Sequence, residues 1–241
     1  MARENFNSAK NIIVGASPLF ISKSLTGLSK LDPTQGADKV AFEPTKSYIE
    51  TLNGTDGASK WTNVGFTNNG LQITYNPSYG SVTVDQLLDT AKLFKESMEV
   101  MLMTEMAEGT LENLVVVFGQ PDVASQNTIS NSNTLQSSDP DGSTAEKLTK
   151  TLGLAAGALL QAPVERQLCA VGPAVDYSGS TTVTGYTRNE RVYYARRVLS
   201  VQQSQFSLAR NTPTTFPVTF RLLPEDKYAG QEYGKIIDRV F

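Results

Sequence analysis

The sequence predicts an all-β protein, a sandwich or barrel of roughly eight or more strands with one short flanking helix. Hydrophobic residues make up 39% of the chain and charged residues 19%, and the polar remainder is heavy in Ser, Thr, Asn and Gln. That balance suits broad hydroxyl-covered sheet faces better than a helical bundle. Several segments also alternate with period two, most clearly TTFPVTFRL, where Phe216, Val218, Phe220 and Leu222 alternate with Thr215, Pro217, Thr219 and Arg221. Only one stretch has clear helical spacing. At 241 residues the chain is long for one domain, but all-β folds reach this size as a unit, so a single domain over residues 1–241 is expected.

In chain order, Asn11 to Ser22 (NIIVGASPLFIS) is the first expected strand, with Pro18 marking an edge or a bulge. Residues 23–60 lose all periodicity and read as a long loop, although Val40, Phe42, Tyr48 and Ile49 punctuate it. Long structureless loops in compact domains are uncommon unless functional or disordered, and these apolar residues favour a loop that folds onto something. A meander of short strands follows: Trp61 to Phe66, the turn NNG, Leu71 to Tyr75, Pro77, then Ser81 to Leu88. In KESMEVMLMTEM, Met98, Val100, Leu102 and Thr104 share one face, and Glu99, Met101, Met103 and Glu105 the other.

The helix is expected at Leu111 to Phe118. Thr110 sits at its N-cap, Glu112 in its first turn and Gly119 at its end, and Leu111, Leu114, Val115 and Phe118 form its core face. Residues 120–150 form a second polar loop. Strands resume at Leu168 to Val171, Arg191 to Gln205, Thr214 to Leu222 and Tyr233 to Phe241. The last is expected to dock through Ile236 and Val240 on one face, because an apolar terminal pair is a poor choice for a free end.

Cys169 is the only cysteine and there is no histidine, which removes an internal disulfide, the usual zinc sites, the Ser-His-Asp triad and the Cys-His pair. No cofactor or metal is expected. MARENFNSAKNIIVG lacks the apolar core of a signal peptide, and LGLAAGALL falls far short of the roughly 20 residues of a membrane helix. Phosphate loops are absent: GLAAGALL lacks a following Lys-Ser/Thr, and GTDGASK lies in a loop. DPDGS resembles part of a calcium loop without its distal Glu and reads as a turn. The run RNERVYYARR could stack and pair with a nucleic acid, but Glu190 within it and the net charge of −3 favour a strand whose arginines meet carboxylates. A glycosidase-like pair could be drawn from Asp85, Glu99 and Glu105, but acids on a strand face are more often solvated or paired. Charge is uneven. Residues 1–185 hold 12 basic against 19 acidic residues (−7), and residues 186–241 hold 9 against 5 (+4), which could draw copies together head to tail.

Taken together, TNVGFTNNGLQITYNPSYGSVTVDQLLDTAKLF, AEGTLENLVVVFG, RVYYARRVLSV, PVTFRLLPED and YGKIIDRV resemble, over residues 61–119 and 166–241, the major tail (tail tube) proteins of long-tailed, siphovirus-type bacteriophages. The resemblance implies a β-sandwich-like fold with a flanking helix, shared with phage tube proteins and the tube of the type VI secretion system. It implies a structural virion protein, not an enzyme. Homohexameric rings would stack into a tube around a tape-measure protein, meet terminator and tip proteins, and let DNA pass through an acidic lumen without specific binding. Assembly would take place in the host cytoplasm, without a membrane, and the product would reside in the virion tail. On this reading Val40, Phe42, Tyr48 and Ile49 are inter-ring contacts, and Asp85, Glu99 and Glu105 line the lumen. The alternatives are another virion β protein, such as a decoration or receptor-binding module, and a carbohydrate-active enzyme.

Overall fold

The computed structural model describes residues 13, 15–22, 48–53, 61–86, 89–120, 131–132, 149–150, 163–175, 189–201 and 204–240. Its strands are β1 (Leu19–Ser22), β2 (Trp61–Asn63), β3 (Thr67–Thr83), β4 (Thr90–Met106), β5 (Asn131–Ser132), β6 (Thr149–Lys150), β7 (Arg166–Pro173), β8 (Asn189–Ser200), β9 (Phe216–Leu222) and β10 (Gly234–Val240). Two short helices, α1 (Tyr48–Asn53) and α2 (Leu111–Val117), complete the described elements. The fold is all-β and antiparallel throughout, as the sequence predicts.

The main sheet runs β2-β1-β7-β8-β9-β4-β3, with β10 added to β8. One edge of β8 carries β7. Its other edge is divided, β10 taking Asn189 to Ala195 and β9 taking Val198 to Ser200. The two end strands, β2 and β3, are consecutive in the chain, joined by Val64, Gly65 and Phe66. Gly65 has φ +82°, and a Cβ there would overlap the Glu108 carboxylate that accepts from the Phe66 N–H.

Leu19, Phe20 and Ile21 form an unbroken apolar run because β1 is buried on both faces, and the buried Ser22 hydroxyl accepts from the Gln167 N–H at 2.8 Å. Leu19 and Ile21 join Val100, Leu102, Met106, Leu168, Val198 and Phe220 in the larger core cluster. Phe20 faces the smaller one, with Leu52, Trp61, Cys169, Val171, Val192 and Tyr194. Cys169 is fully buried, as expected of a small hydrophobe.

Four expectations change in detail. The meander is instead one 17-residue strand, β3: NNG falls at a register shift between Thr67 and Leu71, and Pro77 is tolerated because β3 is an end strand, with one side unpaired among the described residues. The 23–60 segment contains a helix, α1, and the 120–150 segment contributes β5 and the short β6 that pairs with it. Helix α2 has its Thr110 cap, whose hydroxyl accepts from the Asn113 N–H at 3.3 Å, and ends at Gly119 with φ +61°. Its buried side is Asn113, Val115, Val116 and Val117; Leu111 and Leu114 are half-buried and Phe118 is exposed. The face rotates because the Asn113 amide donates to the carbonyls of Val64 and Glu108, both at 2.9 Å, and so turns inward. Finally, β8 ends at Ser200, and the chain then brings Phe206 edge-on against Phe216 with ring centroids 4.8 Å apart.

Candidate interaction surface

β3 and β4 form a hairpin of two 17-residue strands, but β9 pairs with β4 only from Met101 to Met106. Beyond Val100 the hairpin has no third strand among the described residues, and Asn76–Thr83 and Thr90–Glu99 form a two-stranded arm. A hairpin alone in water is marginally stable. Opposed residues share a face, so Ile73, Tyr75 and Tyr79 of β3 lie with Leu102, Val100, Met98, Lys95 and Leu93 of β4. The core face therefore continues outward along the arm. At the base Val100 and Leu102 are buried; farther out Tyr75, Tyr79 and Leu93 are 58%, 59% and 65% exposed. On the opposite face the Phe94 ring covers Gly80, the residue it pairs with.

A cleft of about 440 Å³ opens at the arm base, between Ile73, Tyr75 and Met98 on one side and Tyr193, Tyr233 and Ile236 on the other. Tyr233 Oη donates across it to the Met98 carbonyl at 3.3 Å. Ile236 is 63% exposed at this cleft, which corrects the expectation that it anchors β10. The neighbouring Ile237 packs on the smaller core cluster instead, because one residue of register exchanges the two faces of a strand.

Ion pairs hold β10. Arg191 donates Nε and Nη2 to the two carboxylate oxygens of Asp238 at 2.5 and 2.6 Å, and Arg239 pairs with the buried Glu190. The guanidinium holds the Asp238 carboxyl below the usual carboxylate range, mainly through this hydrogen bond, and the carboxylate raises Arg191 in turn. Arg197 pairs with Glu165 at 2.7 Å, and Arg196 lies 3.6 Å from the Tyr228 ring centroid and donates to the Gln231 carbonyl. The described arginines of RNERVYYARR are thus engaged within the chain, in keeping with the structural reading of that run.

The remaining candidates separate. Glu99 and Glu105 share a face of β4, Glu99 pairing with Arg221 at 3.5 Å. Glu105 accepts from Asn68, Asn69 and Thr215, and its carboxyl is lowered first by the Thr215 hydroxyl and then by Asn68. Asp85 is exposed in the turn after β3. Six residues of strand put Glu99 and Glu105 about 20 Å apart, well beyond the roughly 5–9.5 Å of a glycosidase pair. Ile49 in α1 packs on the smaller core cluster, so it is already used within the chain. Tyr48 opens α1, while Val40 and Phe42 lie outside the described residues. Among the described residues no group of three or more His, Cys, Asp or Glu is placed to hold a metal ion, and no helix is long and apolar enough to cross a membrane.

No protein-family model matches this chain, and no curated relative does either. Sequence reasoning did not single out Asn113, Arg166 or the cleft. Asn113 had a signal, an amide inside the apolar helix LENLVVV. Arg166, 4% exposed, donates to the carbonyls of Ser22 and Gln120 and ties β1 to the end of α2. Nothing local marks the cleft, since its walls are far apart in sequence.

Proposed function

We propose that this chain is a structural virion protein that self-assembles into homohexameric rings stacked as the tail tube of a long-tailed, non-contractile bacteriophage. The observation that carries the reading is the arm: two strands extend beyond the body and expose Tyr79, Leu93 and Phe94. Strands of this kind are a liability unless another subunit covers them, and contiguous exposed apolar surface marks interaction sites. Among the described residues β3 adds an edge with no further partner strand in the sheet, and β10 adds another on the far side of β8.

Joining such edges around a ring removes them, and stacking rings produces an open tube. DNA would traverse the tube without binding, because acidic walls repel phosphates. Glu105 stays ionised and faces the same side as Glu99, whose charge Arg221 offsets. Tape-measure, terminator and tip proteins would be the other partners, and the product would sit in the tail after cytoplasmic assembly. Negative-stain microscopy of the purified protein tests this: rings or tubes are expected, and a strictly monomeric species at high concentration overturns it.

A further inference from the structure

Four of the five methionines fall in β4, and strand alternation divides them between its two faces. Met98 and Met106 lie on the core side with Val100 and Leu102, and Met106 is fully buried. Met101 and Met103 point the other way, Met103 39% exposed and Met101 half-buried. Met101 stands between Thr74 and Arg221, Met103 between Gln72 and Thr219, and Glu99 and Glu105 share their face. A thioether among such polar neighbours offers its sulfur lone pair to a water-borne oxidant. Met98 is as half-buried as Met101, but its sulfur is differently placed, because Lys95 Nζ donates to it. An ammonium on the lone pair competes with an oxidant for those electrons.

We propose that the outward face of β4 is a modification site for hydroperoxides, where Met103 and then Met101 become sulfoxides while the protein stays folded, and where Lys95 holds Met98 back. The sulfur lone pair attacks the terminal oxygen of the hydroperoxide, and the O–O bond breaks as the S–O bond forms. The departing alkoxide takes up the hydroperoxide proton and leaves as an alcohol, or as water when the oxidant is hydrogen peroxide. Methionine loses two electrons and the peroxide gains them. The new sulfoxide oxygen accepts hydrogen bonds, and Gln72, Thr219 and Arg221 bring donors to that face. The same product at Met106 would put a polar group into the larger core cluster. Alternation thus splits one strand into a reactive face that tolerates its product and a face where burial and an ammonium slow the reaction.

Timed exposure of the purified full chain to dilute hydrogen peroxide tests this, with fragment-ion mass spectrometry to assign each sulfoxide and far-UV circular dichroism to follow the fold. The chain is kept dilute so that self-association does not cover the face. Met103 should oxidise at least about tenfold faster than Met106, with Met101 between them, Met98 slower than Met101, and the spectrum unchanged once Met103 has reacted. Lys95→Ala should speed Met98 severalfold and leave the rate at Met103 as it was. Met106 keeping pace with Met103, loss of the native spectrum when Met103 alone is oxidised, or a Met98 rate indifferent to Lys95→Ala would each overturn the assignment.

Discussion

The two halves of the β3–β4 hairpin have the same strand character and opposite fates. In the inner half, Val100, Leu102, Thr104 and Met106 are buried because β9 flanks β4 and β1 packs across the core. In the outer half, Tyr79 and Leu93 continue the same face with neither neighbour. Alternation states which residues could be covered; what covers them depends on elements elsewhere in the chain, or on another chain. A third region, β10, holds its place by its backbone ladder to β8, by Ile237 on the smaller core cluster and by cross-strand ion pairs.

The sharpest way to break this comparison is to truncate a leucine in each half. Leu102→Ala should lower the unfolding free energy of the isolated protein by about 2–5 kcal/mol, the cost of a core cavity. Leu93→Ala should change it by no more than about 0.5 kcal/mol, as for an ordinary surface substitution. Chemical denaturation measures both, and equal losses would show that the outer arm is covered within the chain. The next effect concerns the segments that lead into β3 and out of β4. Asn113→Ala leaves the Val64 and Glu108 carbonyls without their amide donor, at about 1–3 kcal/mol. Denaturation by the same method should show this loss, and hydrogen exchange should rise first at residues 64–66 and 108.

The smallest expected effect separates β10 from the apolar regions. The folded-state pKa of Asp238 lies below its unfolded value, so its contribution is present above the unfolded value and is lost as pH falls through the folded one. β10 amides should therefore lose protection below about pH 4, before the β4–β9 ladder does. Asp238→Asn should remove that acid-dependent step. Simultaneous loss of protection in both ladders, in the unsubstituted protein, would mean that the ion pair does not govern β10.

Much of the fold is legible without the structure because period two, turn residues and caps act locally. The all-β class, the two faces of Met98 to Glu105, the helix with Thr110 and Gly119 at its ends, the buried Cys169 and the later strands all follow from neighbours in sequence. Arg191 and Arg197 of RNERVYYARR also behave as read, because carboxylates stand opposite them across the ladder or on an adjoining segment, whereas Arg196 meets the Tyr228 ring and the Gln231 carbonyl.

Tertiary structure alone decides the rest. Pro77 and NNG punctuate a sequence as turns do, yet an end strand absorbs both, since its open edge requires no ladder bond and a bulge takes the extra residue. Which side of α2 is buried depends on carbonyls 5 and 49 residues from Asn113. The cleft exists because β8 shares one edge between β10 and β9, bringing Ile236 opposite Ile73. Sequence thus determines local conformation and which faces are apolar. Long-range pairing determines which of those faces find cover, because burial depends on what lies across the sheet and not on what comes next in the chain.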